Sequence, residues 1–156
     1  MPNQTIVVLE SIRSAYNVGA IFRTCDGSGV ESVWLTGYSP TPIDRFGRPQ
    51  KEITKTSLGA SEIVPWQQFT EPELLSALQA KREAGYTIVA VEQTAQAQSL
   101  IDWQAPPQCV YIFGNEIEGV SEPLLAGADV HVEIPMRGRK ESLNVSVTAG
   151  IVLYQF

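Results

Sequence analysis

The sequence predicts an α/β fold in which a mostly parallel sheet carries helices on both faces. Five short apolar segments, rich in β-branched residues, have the length and composition of buried strands. They alternate with stretches that have a helix-capping residue at one end, and this alternation is typical of a parallel sheet covered on both sides. The predicted strands are Thr5–Leu9, Ser32–Thr36, Thr87–Val91, Cys109–Phe113 and Val130–Ile134.

The predicted helices are recognised by their capping residues. Asn17, Ser121 and Asn144 are residue types that accept a hydrogen bond at a helix start, and Thr70 with Glu73 forms a capping-box sequence. The helices predicted from these caps cover 17–25, 71–84, 121–126 and 142–156, and a glycine follows the first three. Of the connections, 37–52 is predicted as a loop, 62–64 as a short strand and 99–103 as a turn of helix.

Length and composition bound the class of protein. The chain has 156 residues, of which 44% are hydrophobic, and this suits one domain with a buried core. We expect no signal peptide, and no apolar run approaches the roughly 20 residues that span a bilayer. Cys25 and Cys109 fit no metal-ligand spacing, so we expect free buried thiols in a reducing cytoplasm rather than a disulfide.

The charges are unevenly distributed. The net charge of −6, taken whole, argues against a nucleic-acid-binding protein. The basic residues are nevertheless clustered, and if the clusters meet they form one positive patch on an acidic body; the alternative is three separate solvated loops. Nine of the eleven Lys and Arg lie in three stretches: Arg13 and Arg23; Arg45, Arg48, Lys51 and Lys55; Arg137, Arg139 and Lys140.

The candidate site lies in the polar loops that follow the predicted strands, because ligands bind at the carboxyl ends of parallel strands. The loop Gly114–Gly119 follows one strand directly, and its glycines allow close approach of backbone to a ligand. A tight turn between strand and helix explains the same pattern. Glu116 in this loop is a candidate general base, although loop carboxylates are more often solvated. Arg23 is either a surface arginine or a helix-mounted phosphate ligand.

Several kinds of catalysis find no support in the residues. There is no GxSxG nucleophile elbow, no Cys/His cluster for a metal, and neither a phosphate-binding GK[ST] loop nor a GxGxxG motif. The single histidine, His131, lies in a predicted strand and is expected to be structural. The remaining possibility is transfer of a group from a bound cofactor to a substrate that supplies its own nucleophile.

Three stretches, in order and at matching spacing, resemble the three motifs of the SpoU/TrmH family of RNA 2′-O-ribose methyltransferases, in the SPOUT class. The first is Asn17–Arg23, with the pattern N-x-G-x-x-x-R; the second is Phe113–Ser121. The third joins Ile134–Met136 to Ser142–Ser146. Segments 55–60 and 64–66 are also similar to this family. Three motifs together are far more specific than any one of them.

The resemblance implies a single SPOUT domain over residues 1–156, with a deep trefoil knot in its C-terminal part and no separate RNA-binding extension. It implies S-adenosylmethionine as cofactor, a ribose 2′-hydroxyl of tRNA or rRNA as acceptor, and a cytoplasmic homodimer with a shared active site, without metal or membrane. One alternative is a SPOUT module that binds cofactor or RNA without methyl transfer. Another is a small nucleotide-binding oxidoreductase, which no motif supports.

The resemblance also implies residue roles. Arg23 matches the residue that activates the ribose hydroxyl, and we expect it to bind phosphate and stabilise the developing alkoxide before acting as a base, because guanidinium is hard to deprotonate. The polar residues implied to act with it are Asn17, Glu116, Ser142 and Asn144. The implied cofactor-binding set is Val91, Gly114, Gly119, Ile134, Met136, Ser142 and Leu143. RNA binding is expected of the nine clustered basic residues.

Overall fold

A computed structural model describes residues 4–155 and has seven strands and six helices in that range. The strands are β1 (Gln4–Glu10), β2 (Ser32–Thr36), β3 (Trp66–Phe69), β4 (Thr87–Val91), β5 (Gln98–Ser99), β6 (Gln108–Phe113) and β7 (Val130–Glu133). The helices are α1 (Ala15–Ser28), α2 (Lys51–Ser57), α3 (Ala60–Ile63), α4 (Glu71–Glu83), α5 (Glu122–Gly127) and α6 (Val145–Leu153). Phe156, where the predicted C-terminal run ends, lies outside the described residues.

The strands form one parallel sheet in the order β3-β2-β1-β6-β4-β7-β5, which confirms the predicted sheet type. In the centre, Val7 of β1 lies opposite Val33 on one side and Tyr111 on the other. After β1 the chain continues to β2, toward one end of the strand order, whereas after β6 it continues to β7, toward the opposite end. The loops after β1 and β6 therefore diverge, and such a reversal opens a crevice at the carboxyl edge.

Helices cover both faces of this sheet, as predicted. Val7 and Leu9 pack in the layer that contains α1, α2, α3 and α6, while their neighbours Ile6 and Val8 pack against α4 and α5. Alternate residues of a strand point to opposite faces, so a strand buried on both sides must be apolar throughout. Full burial of such side chains stabilises the fold by about 1.5–3 kcal/mol each. The trefoil knot implied by the resemblance stays a prediction.

The predicted caps are found at α4 and α6, Ser121 is the N-cap of α5 without a side-chain hydrogen bond, and α1 starts at a different residue. The Thr70 capping box is present, and Asn144 caps α6 by accepting a hydrogen bond from the N–H of Ser146 (2.8 Å). Helix α1, however, begins at Ala15, and its N-cap is Ser14 instead of Asn17. Asn17 lies inside the first turn and is buried, so its side chain is available to join other segments.

Two weaker local predictions were wrong and a third was right. The segment predicted as a loop up to residue 52 ends earlier, because α2 begins at Lys51; only Ile53 and Ser57 are buried in it, so it lacks a helical apolar face. Residues 62–64 are not a strand but the end of α3, and the strand follows at 66–69. Both segments are short and largely polar, and periodicity carries little signal there. The turn of helix predicted at 99–103 is present after the edge strand β5, because the carbonyl of Ser99 accepts from the N–H groups of Asp102 and Trp103, both at 3.2 Å.

Candidate functional site

One cavity of about 460 Å³ opens at the carboxyl ends of β4, β6 and β7, and the segment leading into α6 closes its far side. Its volume lies in the range of small-molecule sites. All seven residues of the implied cofactor-binding set line this cavity, together with Glu116 and Asn144 from the implied catalytic set. The structure thus brings the second and third motifs together around one space.

The loop Gly114–Gly119 forms one wall and is closed on itself. Asn115 and Gly119 exchange two backbone hydrogen bonds, of 3.1 and 2.9 Å. The side-chain oxygen of Asn115 accepts from two backbone N–H groups of the loop, while its Nδ2 donates to the carbonyl of Ser11 (2.8 Å) and the hydroxyl of Tyr38 (2.7 Å). A Cβ on Gly114 would lie 2.3 Å from backbone atoms of the loop, so only glycine fits there.

Glu92 holds the same loop from the next strand. It directly follows β4 and lines the cavity, and its Oε2 accepts a hydrogen bond from the N–H of Val120 (3.0 Å). Its carboxylate also fills the space beside Gly119, which has a φ of +74°. Sequence reasoning missed Glu92 because a single acidic residue after a strand is no motif. Its position at the carboxyl end of a predicted strand was the available signal.

Asn17 links the three motifs through hydrogen bonds. Its Nδ2 donates to Oε2 of Glu116 (3.2 Å), and its Oδ1 accepts from Nδ2 of Asn144 (3.4 Å). Glu116 also accepts from the backbone N–H groups of Arg13 (2.9 Å) and Ser14 (3.2 Å). Partial burial raises the pKa of Glu116, but these hydrogen bonds outweigh it and hold the pKa below its usual value of 4.5. Glu116 is therefore an ionised anchor between β6 and α1.

The third loop, 137–144, is much more open. Side-chain hydrogen bonds hold its C-terminal half, where Gln93 donates from Nε2 to the carbonyl of Glu141 (2.6 Å) and Asn144 donates to Asn17. Ser142 and Leu143, between these two points, are exposed, and so are Arg137, Arg139 and Lys140 before them. An apolar leucine, 37% exposed in a cavity wall, offers a surface that a flat apolar ligand can cover.

Arg23 does not line the cavity. It lies six residues after Asn17 on α1, about 9 Å along the helix axis, and is exposed. Within residues 4–155 its guanidinium makes no salt bridge or cation–π contact. The structure therefore separates Arg23 from the cavity of its own chain, whereas Asn17, at the start of the first motif, bonds to two residues that line it.

The nine clustered basic residues are all exposed. The first two stretches lie on neighbouring elements, since α2 packs closely on α1: a Cβ on Gly19 would meet Thr56, whose hydroxyl donates to the carbonyl of Tyr16 (3.0 Å). The third stretch is joined to α1 through the bond between Asn144 and Asn17. All three stretches therefore lie on α1, just before it, or on segments linked to it.

The remaining candidate groups have structural roles. The Nε2 of His131 lies 3.0 Å from the carbonyl oxygen of Leu125, to which it donates, and Nδ1 accepts from Thr94 (2.8 Å); the structural assignment of His131 is confirmed. Cys25 and Cys109 are free and buried, and burial raises the pKa of both thiols. In the described range, no His, Cys, Asp and Glu side chains group to hold a metal, and no helix is long and apolar enough to cross a membrane.

The fold and the site define a class: a parallel α/β domain with a ligand cavity built from the last strands and the segment before the C-terminal helix. The sequence profile described as the SpoU rRNA Methylase family matches residues 4–154. The chain belongs to that family.

Relatives and solved structures agree with this assignment. The chain is 34% identical over 152 residues to the tRNA (guanosine(18)-2′-O)-methyltransferase of Thermus thermophilus, covering 96% of this chain and 72% of the relative. It is 32% identical over 154 residues to the mouse tRNA (guanosine(18)-2′-O)-methyltransferase TARBP1, covering 99% of this chain and 9% of the relative. This chain spans about half the length of two further bacterial relatives, 51% of one and 56% of the other.

Among solved structures, the AdoMet-bound rRNA methyltransferase from Sinorhizobium meliloti superposes with a TM-score of 0.84 at 26% identity, covering 99% of this chain and 56% of that chain. The TrmH/SpoU tRNA modifying enzyme of A. aeolicus gives 0.82 at 28% identity, covering 97% and 73%.

Proposed function

We propose that this chain is a cytoplasmic S-adenosylmethionine-dependent methyltransferase that acts on a ribose 2′-hydroxyl of tRNA or rRNA. The observation that carries the proposal is the hydrogen-bonded series Glu116–Asn17–Asn144, which joins all three motifs at the mouth of one cavity. Family membership supports the same reading, as do the relatives named 2′-O-methyltransferases and the neighbour with bound AdoMet.

The residues of the cavity fit S-adenosylmethionine. Ile134, Met136 and Leu143 offer apolar surface for an adenine ring, while the carboxylates of Glu92 and Glu133 lie in the same lining. Carboxylates suit ribose hydroxyl donors and the positive charge of a sulfonium compound. Both kinds of surface meet in one cavity, so a charged nucleoside derivative satisfies more of the lining than an apolar ligand would.

The residues of the chain position the acceptor and stabilise charge. When bound, the cofactor supplies a methyl group already activated by its sulfonium centre. Arg23 binds an RNA phosphate bidentately and stabilises negative charge on the ribose oxygen as its proton leaves to a phosphate oxygen or to water. Glu116 and Asn144 act through Asn17 to hold α1 against the cavity, and are positioning residues. Orientation of the hydroxyl supplies a large part of the acceleration.

The proposed working unit is a homodimer in which Arg23 of one subunit serves the cavity of the other. Arg23 lies away from its own cavity, so a second copy is needed to complete the site. Helix α6 and the residue that caps it also expose apolar side chains at i, i+4 and i+7: Val147 (50% exposed), Ile151 (38%) and Tyr154 (51%). Such a stripe beside α1 is a suitable surface for a second copy.

Methyl transfer from labelled S-adenosylmethionine to unmodified tRNA and rRNA tests the function. The expected result is label in one RNA class together with cofactor binding measured by calorimetry. Cofactor binding with no label in any RNA would instead identify a binding module.

The shared site is tested by mixing two variants, Arg23→Ala and Leu143→Glu, each of which is expected to be inactive alone. A mixed dimer contains one intact cavity served by one intact Arg23, so the mixture should regain activity. A mixture that stays inactive would contradict a shared site.

A further inference from the structure

The loop between β2 and α2 carries an unusual tip. Phe46 is 66% exposed, although a phenylalanine is normally buried. The guanidinium carbons of Arg45 and Arg48 lie 4.8 and 5.0 Å from the centre of its ring. The tip therefore presents an aromatic ring flanked by two cations. We call residues 41–50 the Phe46 loop.

The Phe46 loop is held in one conformation by Asp44. Oδ1 of Asp44 accepts from the N–H groups of Phe46 (2.8 Å) and Arg48 (3.0 Å), and Oδ2 pairs with Nε of Arg48 (3.0 Å). The hydrogen bond from the Arg48 N–H helps hold the pKa of Asp44 below its usual value. Gly47 closes the turn with a φ of +79°. These bonds hold the Phe46 ring toward solvent, so the ring removes little apolar surface from water.

The segment that leads from β2 into the Phe46 loop contacts the cavity wall. β2 ends at the carboxyl edge of the sheet, and Tyr38 just after it accepts from Asn115 in the cavity wall (2.7 Å). The loop leads directly into α2, which packs on α1, the helix that carries Arg23. Lys51 and Lys55 of α2 continue the exposed positive charge away from the tip. RNA reaching the cavity would have this loop as a neighbour.

We propose that Phe46, with Arg45 and Arg48, stacks on an unpaired nucleobase of the RNA substrate, so that the protein recognises a single-stranded segment next to the methylated nucleotide. Nucleobases stack on aromatic rings and on guanidinium planes alike. An arginine displaced from the ring by a base can pair with the adjoining phosphate. Bases inside a duplex are already stacked and offer no free face. This inference rests on the proposed function and specifies its substrate class.

The test compares Phe46→Ala with wild type in binding to a hairpin RNA with an unpaired loop and to a blunt duplex of the same stem. The expected loss for the hairpin is about 5- to 100-fold, from one lost base stack, with less than about twofold change for the duplex. Phe46→Trp should retain hairpin binding. Ile101→Ala is the matched control, because Ile101 is similarly exposed (64%) after the edge strand β5.

A fluorescent 2-aminopurine in the hairpin loop gives an independent readout: wild type should quench it by stacking and Phe46→Ala should not. If wild type methylates RNA and Phe46→Ala binds the hairpin equally well, the inference is overturned and the proposed function stands. A changed sedimentation coefficient with unchanged RNA binding would make Phe46 a protein contact, and also overturns it. If wild type neither binds nor methylates RNA, the proposed function itself fails.

Discussion

The two loops that face each other across the cavity differ in how firmly they are held. The loop 114–119 is tied by Asn115 and Glu92 and by backbone bonds within itself, with partners in several other segments. In the described chain, side-chain hydrogen bonds hold the loop 137–144 only in its C-terminal half, where Gln93 donates to Glu141 and Asn144 donates to Asn17. The cavity wall formed by 114–119 is therefore preformed, whereas the basic loop is free to change its conformation when a ligand binds.

The largest effect should come from adding one methyl group to the fixed loop, at Gly114. Gly114→Ala places a Cβ 2.3 Å from backbone atoms of Gly119 and Val120, which cannot move without opening the loop. We expect about 1–3 kcal/mol loss in the free energy of unfolding and a cofactor affinity too weak to measure by calorimetry. Urea unfolding and calorimetry check both values.

Gly138→Ala is the matched change in the open loop, because nothing lies within 4 Å of the added Cβ. Its stability and cofactor affinity should equal those of wild type. Equal damage from both substitutions would contradict the difference between the loops.

Arg23→Ala should give the next largest effect, and on catalysis alone. Arg23 lies outside the cavity, so cofactor affinity should be unchanged while the methyl-transfer rate falls by about 100- to 1,000-fold, as for loss of one charge-stabilising donor. Single-turnover kinetics with RNA in excess measure this rate. Lys81→Ala, on α4 across the sheet, is the control and should retain the rate. A near-normal rate in Arg23→Ala would remove Arg23 from the mechanism.

Glu116→Gln tests the anchor between the fixed loop and α1, and its effect should depend on pH. The folded-state pKa of Glu116 lies below the ordinary value of 4.5, so the ionised group stabilises the fold above that pH. This contribution is lost as pH falls through the lower folded-state pKa. At pH 7 the variant should lose about 1 kcal/mol, discounted for the exposure of the carboxylate.

Urea unfolding of Glu116→Gln and wild type at several pH values measures the difference, which should shrink below pH 4.5. Glu118→Gln in the same loop, whose carboxylate makes no hydrogen bond within residues 4–155, is the control. A difference that stays constant with pH would show that Glu116 is not an ionised anchor.

The smallest effect is expected in the open basic loop. Arg139→Ala should weaken RNA binding severalfold and reduce the slope of log affinity against log salt by about 0.7–0.9, the value for one phosphate contact. Cofactor binding should not change, because Arg139 is exposed and outside the cavity lining. Titrations with RNA at several salt concentrations give the slope. An unchanged slope would separate this loop from RNA.

The extent of burial explains which elements could be predicted from the sequence. Continuous β-branched strands such as Thr87–Val91 were found because both of their faces are buried. The cavity lining was found through three motifs whose residues meet in space. Helix α2 and strand β3 were missed because they bury few side chains and have no apolar period. The bond from Asn17 to Glu116 joins residues 99 positions apart, and pairing of that kind leaves no local pattern in one sequence.

The position of the transferred methyl group tests the proposed ribose methylation most directly. RNA labelled by the wild-type protein is hydrolysed in alkali, which cleaves only after a free 2′-hydroxyl. We expect the label in alkali-resistant dinucleotides, and almost none of it after reaction with Arg23→Ala. Label recovered in mononucleotides would place the methyl group on a base and would contradict the proposed ribose methylation.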